Sequence, residues 1–421
     1  MKTENLPVGT SLPQAEKRAL AMHDASTATE TVIARKVAGD TKIRRLVRLV
    51  EKRFQRAGDG NPEHTFSVRT PDGALFRIGD GDASFCFALK NDRAVAALFT
   101  LDQNILISAY LAGDLDIEGD LSQLLAMRGR LSDKKRMRYL WRFIRPVLFG
   151  QIHSDRKWIA QHYDVDEAFF LSFLDKKHRA YSQAVFSNDG QSLEDAQSDK
   201  LDFALEAVRA AAGDHILEIG GGWGAFVEHA CPKGMQVTSL TLSKRSESFI
   251  QNLIQNKHLN GRVLFEHFFA HAPPEKYDAI VNCGVTEHLP DYAASLRQYA
   301  RLVKPGGYVY LDASAGRRKN QHGSFMNQYV FGGNASLLCL HEFLEEVAQS
   351  PFHLIGVWND RHNYYLTTKK WAENLDRSRA DIERNWGISL YRIFRLYLWG
   401  SAEGFHSGSL DAYRVLLRLP R

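Results

Sequence analysis

Apolar positions follow two rhythms along this chain, and the change between them divides it. From residue 38 to 127 the apolar runs are short and broken by turn residues. His64 to Ile78 flanks Pro71-Asp72-Gly73, Ala83 to Leu101 holds Asn91-Asp92, and Ile105 to Tyr110 and Leu115 to Ile117 are separated by Gly113-Asp114. Short β-prone runs between such residues predict strands and tight turns. This part therefore reads as a small α+β unit, with Ile105–Tyr110 as one of its strands. Later the rhythm changes to compact apolar runs separated by helix-length segments. Ile216, Leu217 and Ile219 form one run, and Gly220-Gly221-Gly222-Trp223-Gly224 then turns sharply into a helix beginning near Ala225. Met235 to Lys244, Tyr277 to Asn282 and, after Lys304-Pro305-Gly306-Gly307, Tyr308 to Leu311 supply further strands. Alternating strand and helix of this kind predicts an α/β domain with a largely parallel sheet.

The glycine bend brings in chemistry. Glycine serves where φ is positive or where a ligand must approach the main chain closely. Glu218 stands at the carboxyl end of its strand, where open α/β sheets bind ligands and a carboxylate can accept bonds from an amino group. A dinucleotide site would place Asp or Glu at the end of the next strand for the ribose. Here that end reads Thr241-Leu242-Ser243.

Composition narrows the partners. The 421 residues favour two domains, 44% are apolar, and no apolar run is long enough to span a bilayer. Met1 to Asp24 is too polar for a signal peptide. Cys86, Cys231, Cys283 and Cys339 lie far apart, which reads as buried thiols in a reducing cytoplasm. The formal charge of +5 is unevenly spread. Arg35, Lys36, Lys42, Arg44, Arg45, Arg48, Lys52, Arg53 and Arg56 form one basic cluster, and Arg128 to Arg145 a second. Both resemble basic amphipathic helices suited to an anionic membrane surface, at about 1 kcal/mol per basic residue. A solvated helix face is the plainer alternative. Nucleic acid is not expected, because the aromatics accompany aliphatics in helical runs.

Taken together, the motifs resemble the cyclopropane fatty acid synthases and mycolic acid methyltransferases, a family of class I S-adenosylmethionine-dependent methyltransferases. The residues that carry the resemblance are His162-Tyr163-Asp164-Val165, Tyr181-Ser182, Ser192 to Gln197, Glu218 to Gly224, Thr241 to Lys244, Glu287-His288 and Tyr329 to Gly333. It implies a Rossmann-like, seven-stranded α/β sheet with helical additions, preceded by a lipid-binding-like α+β domain. The corresponding divisions are a flexible 1–37, the small domain at 38–127, a basic helical connector at 128–160 and the methyltransferase domain at 161–421. Gly113-Asp114-Leu115-Asp116-Ile117-Glu118-Gly119-Asp120 resembles a signature of that first domain. Its alternating acids fit a half-buried strand better than a calcium loop.

By the same resemblance, Tyr181, Ser182, Glu218, Gly220, Gly221, Gly222, Trp223, Gly224, Thr241, Leu242, Ser243 and Ser246 contact S-adenosylmethionine, with His267 and Phe268 near the adenine. Segment 313–330 is expected to be a loop over the acyl channel. The implied reaction is C-methylation at the cis double bond of unsaturated phospholipid acyl chains. Its product is a cyclopropane or a methyl-branched or methylene chain, made at the inner face of the membrane. A homo-oligomer is left open. So are a soluble small-molecule substrate and a non-catalytic lipid-binding role.

Family members hold bicarbonate between Cys, Glu, His and Tyr. The matching positions here are Gln183, Glu287, Asp312 and Tyr397, so a second carboxyl group replaces the histidine. Two readings follow: a carboxylate of the Glu287–Asp312 pair accepts the proton in place of bicarbonate, or Gln183 holds bicarbonate through its amide while Asp312 points away. No metal site is expected.

Overall fold

The computed structural model describes residues 41–55, 65–128, 131, 166–319, 325–330 and 336–421. The 1–37 segment, most of the basic connector, His162 to Val165 and Phe331 to Gly333 lie outside these residues. The chain forms two compact units that divide between Ser132 and Asp133.

In the first unit α1 (Thr41–Gln55) precedes β1 (Phe66–Arg69), β2 (Leu75–Ile78) and β3 (Phe85–Leu89). After these come α2 (Asp92–Thr100), α3 (Gln103–Ala112), β4 (Leu115–Gly119) and α4 (Leu121–Ala126). The sheet order is β2-β1-β3-β4. Ile43, Leu46 and Val50 of α1 are buried, whereas Arg44, Arg45, Arg48 and Lys52 face solvent. The Pro71-Asp72-Gly73 turn joins β1 to an antiparallel β2, as its residues predict. Two expectations need correction. Asn91 makes no hairpin turn: its side chain accepts the Ala94 N–H at 3.0 Å and so starts α2. Ile105–Tyr110 is helix, not strand. Asp102 caps it through the Asn104 N–H at 2.9 Å, and Gly113 ends it with φ of 82°. Leu106, Ala109 and Tyr110 are its buried apolar residues, at the spacing of one helical face.

The second unit begins with α5 (Glu167–Phe173) and α6 (Leu193–Ala207). Its parallel core follows: β5 (His215–Ile219), α7 (Ala225–Ala230), β6 (Gln236–Thr241), α8 (Lys244–Lys257), β7 (Gly261–Phe265), β8 (Tyr277–Cys283), α9 (Tyr292–Leu302) and β9 (Val303–Ala315). The chain closes with α10 (Leu340–Ala348), β10 (His353–Asn359), α11 (Arg361–Arg377), α12 (Arg379–Trp386), α13 (Ile388–His406) and β11 (Asp411–Arg418). Seven strands lie in the order β10-β11-β9-β8-β5-β6-β7. β5 to β9 run parallel, and β11 enters antiparallel between β9 and β10. This is the class I methyltransferase sheet.

Helices α6 and α8 pack with Ile216, Val237, Val281 and Tyr310 on one face. On the other, α9 and α10 pack with Leu217, Ile280, Val309 and Leu311. A third cluster joins Phe169, Phe170 and Phe173 of α5 to Trp371, Phe394, Leu398 and Trp223, so the added helices build an aromatic wall beside the glycine bend. β9 outruns its expected end. Ala313, Ser314 and Ala315 pair with Tyr413, Ala412 and Asp411, so the loop expected from 313 starts only after Ala315. Because β5 is flanked by β6 and β8, the crossovers diverge there and a crevice opens at the strands' carboxyl ends.

Candidate active site

At the end of β5 the N–H groups of Gly220 and Gly221 both donate to the Leu240 carbonyl, at 2.9 and 3.0 Å, which ties the bend to β6. Gly220 has φ of +82°, and a Cβ there would collide with the Val285 side chain. Gly222 also has positive φ, at +51°, but the space beside it is open. One glycine is demanded by its neighbour and the other leaves a ligand room. Trp223 turns inward and is buried.

The cleft above the strands is walled by Tyr181, Ser182, Glu218, Gly220 to Trp223, Thr241, Leu242, Ser243, Ser246, His267 and Phe268. Each residue expected at the cofactor is thus present except Gly224, which stands behind the wall. Gly224 is instead the N-cap of α7 with φ of 79°, where a Cβ would meet Leu253. Ser243 caps α8 by accepting the Ser246 N–H at 3.2 Å, and Thr241 Oγ1 accepts the Ser243 N–H at 3.2 Å. These bonds fix the Thr-Leu-Ser corner in shape. His267 Nδ1 accepts the Phe269 N–H at 3.1 Å, which holds the next strand's end against the cleft. Glu218 is fully enclosed and its Oε2 has no hydrogen-bond partner. Burial pushes its carboxyl up to about 7, against the pull of Ser239 and Lys200.

Sequence reasoning missed Lys200, Glu266 and Cys283, which also line the cleft. Lys200 is 1% exposed and donates to Ser182 Oγ at 2.9 Å, while Gln197 donates to the Ser182 carbonyl at 2.9 Å. Helix α6 therefore holds Ser182 by both ends. A signal existed: Leu193, Ala196, Gln197, Lys200, Leu201 and Ala204 share the buried face of α6, so Lys200 is a lone cation on an otherwise inward stripe.

Beside the cleft lie the four positions expected to form a bicarbonate pocket, where Glu287 and Tyr397 keep the family's residue types and Gln183 and Asp312 depart from them. Glu287 follows β8 in a single 3-10 turn, Thr286–His288. Its Oε1 accepts both the N–H and the hydroxyl of Ser314 at 2.7 Å, and its Oε2 is buried without a partner. Burial pushes this carboxyl up to about 7, and the nearby Asp312 adds to the shift. Asp312 pairs in register with Cys283 on one side and Arg414 on the other. Burial raises it to about 6, against Lys200 and a hydrogen bond from Cys283. Burial likewise pushes the Cys283 thiol well up, and Asp312 reinforces this.

Tyr397, on α13, has its hydroxyl pushed up to about 12 by burial; the neighbouring Tyr181 opposes the rise and Glu287 adds to it. Gln183 is tied elsewhere. Its Nε2 donates to Asp360 at 2.8 Å, and Arg414 grips the same carboxylate at 2.5 and 2.9 Å. The unpartnered atoms of this group, Gln183 Oε1, Glu287 Oε2 and Asp312 Oδ2, are all acceptors. Ionised carboxylates and an amide carbonyl do not suit a bicarbonate anion, and no step is derived through it.

S-adenosylmethionine fits the main cleft. Glu218 offers an orphaned carboxylate oxygen to an amino group, Gly222 leaves an open floor, and the Thr241-Leu242-Ser243 corner presents hydroxyls where a sugar would lie. Residues 151–415 match the family described as mycolic acid cyclopropane synthetase. A probable fatty acid methyltransferase of Mycobacterium tuberculosis is 27% identical over 84% of this chain and 91% of its own length. A sphingolipid C9-methyltransferase of Candida albicans is 26% identical over 73% of this chain and 64% of its own. A mycolic acid cyclopropane synthase solved in complex with SAH and CTAB superposes with a TM-score of 0.58, at 26% identity over 62% of this chain and 98% of that one. The chain belongs to the mycolic acid cyclopropane synthetase family and is an S-adenosylmethionine-dependent methyltransferase.

Proposed function

We propose that this enzyme methylates the cis double bond of an unsaturated acyl chain carried by a phospholipid, and that Glu287 accepts the proton released. The observation that carries the reading is the buried, unpartnered Oε2 of Glu287, whose carboxylate is near enough to Tyr397, beside Tyr181 of the cofactor cleft, to raise its hydroxyl. The likeness to a fatty acid methyltransferase supports an acyl substrate.

S-adenosylmethionine, when bound, supplies an electrophilic methyl group on a sulfonium. The protein's own residues do the rest. Tyr181 packs edge-on against Phe170 and Phe173 and tilted against Trp371, at ring separations of 5.4, 6.0 and 5.3 Å. Such faces steady a cationic carbon and keep water from it. Once the π electrons have formed the new C–C bond, the other olefin carbon is positive until a proton leaves. Loss from the added methyl closes a cyclopropane; loss from an adjacent chain carbon leaves a methyl-branched alkene; and a 1,2-hydride shift onto the cationic carbon, followed by loss from the added methyl, leaves a methylene group. Ser314 fixes Oε1 of Glu287, so Oε2 is the atom free to take that proton. A fixed carboxylate in place of a small mobile anion relocates deprotonation toward the chain, so the methyl-branched alkene is favoured over the ring. The enzyme works on a membrane's inner face, held by basic residues of the first unit.

A labelled-methyl assay with cis-unsaturated phospholipid vesicles tests this. Label in methyl-branched lipid, with turnover falling about 10²-fold or more in Glu287→Gln, is expected for loss of a positioned base. Label confined to a soluble acceptor overturns the lipid reading. Undiminished turnover in Glu287→Gln overturns the base assignment.

A further inference from the structure

Lys200 is a buried charged group on the cofactor cleft whose role the reaction leaves unexplained. Its side chain sits at 1% exposure with its ammonium on Ser182 Oγ at 2.9 Å, and no carboxylate of a described residue lies within ion-pair distance. An ammonium carries three N–H donors, so a single neutral acceptor leaves it under-satisfied. Burying a cation in this way costs several kcal/mol unless an anion completes the arrangement. Glu218 and Asp312 are near enough to sense the charge but do not pair with it. Both Lys200 and Ser182 line the cleft, as does Glu218, whose Oε2 is also unpartnered. One wall of the cleft thus offers a cation with a hydroxyl, and a free carboxylate oxygen near them. That is the complement of an amino-acid zwitterion.

We propose that Lys200 and the Ser182 hydroxyl form the subsite for the carboxylate at the amino-acid end of S-adenosylmethionine, opposite the amino group that Glu218 receives. The inference rests on the cofactor reading of the cleft. Helix α6 builds the subsite from one face: Gln197 fixes the Ser182 backbone, and Lys200, three residues on, meets its hydroxyl. Asp175 steadies the approach to Ser182 by accepting the Ala180 N–H at 2.8 Å. The subsite is therefore rigid before a ligand arrives, which lowers the entropic cost of binding.

The test is calorimetric binding of S-adenosylhomocysteine and of its decarboxylated analogue to the full-length protein. Wild type should prefer the carboxylate-bearing ligand. Lys200→Met should weaken that ligand by about 10- to 100-fold, the size of a lost charge-assisted bond, yet change the analogue by less than about 2-fold. Ser182→Ala, which keeps the lysine, should show the same selective loss in smaller degree, and so guards against misfolding of Lys200→Met. Thermal melting of both variants checks the fold. If the variants weaken both ligands equally, or neither, Lys200 merely offsets Glu218 and Asp312 and the subsite is refuted. If wild type binds neither ligand, the cofactor reading itself fails, and that result is distinct from the first.

Discussion

Glu287 and Asp312 are two carboxyl groups enclosed in one small region, and their protonation links chemistry to stability. Burial raises Glu287 from 4.5 to about 7 and Asp312 from 3.8 to about 6. Both groups are acids with folded values above their unfolded ones, so the folded state binds more protons between about pH 4 and 7. Their contribution to stability is therefore lost as pH rises through that window. We expect the melting temperature of Asp312→Asn to fall less than that of wild type between pH 5 and 8, measured by calorimetry; equal slopes would refute this. Activity should run the other way, because Glu287 must be ionised to accept a proton. The rising limb should lie near pH 7 in wild type. It should move to lower pH in Asp312→Asn, where a repelling neighbour is gone. A limb that does not move would show that Asp312 exerts no repulsion on Glu287. Sequence reasoning reached both residues because the family pattern supplies their positions. It could not show that Gln183 is committed to Asp360, which lies 177 residues away and itself depends on Arg414. Lys200 was legible only as a cation on an apolar stripe, because Ser182, its partner, arrives from a separate segment.

The glycine bend shows how an element divides work among residues that look alike in sequence. A methyl group on Gly220 meets Val285, whereas one on Gly222 meets nothing within 4 Å. Both positions have positive φ, which costs an L-residue roughly 1–2 kcal/mol. Gly220→Ala should therefore lower the melting temperature more than Gly222→Ala. Gly222→Ala should fold and yet bind S-adenosylhomocysteine more weakly, since its methyl enters cofactor space; calorimetry on both proteins distinguishes the two effects. Equal melting temperatures would mean that Val285 yields without cost. The strand–glycine–helix order was readable because buried parallel strands are short apolar runs between turn residues. Ile105–Tyr110 was misread for the same reason. A dense apolar run carries no period, and only its caps, Asp102 and Gly113, identify it as helix. The extent of β9 was also hidden, because residues 313–315 are strand only by pairing with β11, a hundred residues later.

At the scale of the whole molecule, the substrate proposed here is part of a bilayer, and no helix among the described residues is long and apolar enough to cross one. A phospholipid substrate requires a protein surface that meets the membrane. In α1 the buried positions Ile43, Leu46 and Val50 leave Arg44, Arg45, Arg48 and Lys52 outward, with Leu49 exposed at 38% among them. Arg45, Arg48, Leu49 and Lys52 follow one another at three- and four-residue spacing, so they form a stripe along the helix. A basic stripe with an exposed leucine suits anionic headgroups, at about 1 kcal/mol for each basic residue. Replacing all four cations with glutamine should weaken binding to vesicles containing anionic phospholipid by roughly 10³-fold, if the four contributions add. Binding to neutral vesicles should change little, and added salt should erase the difference. The buried face of α1 is untouched by these changes, so the melting temperature should hold. The same variant should keep its activity on lipid dispersed in detergent, where no surface has to be found. Sedimentation with vesicles, followed by the methyl-transfer assay in both formats, measures each outcome. Unchanged sedimentation would reduce the stripe to an ordinary solvated helix face and move the search for the membrane contact elsewhere in the chain.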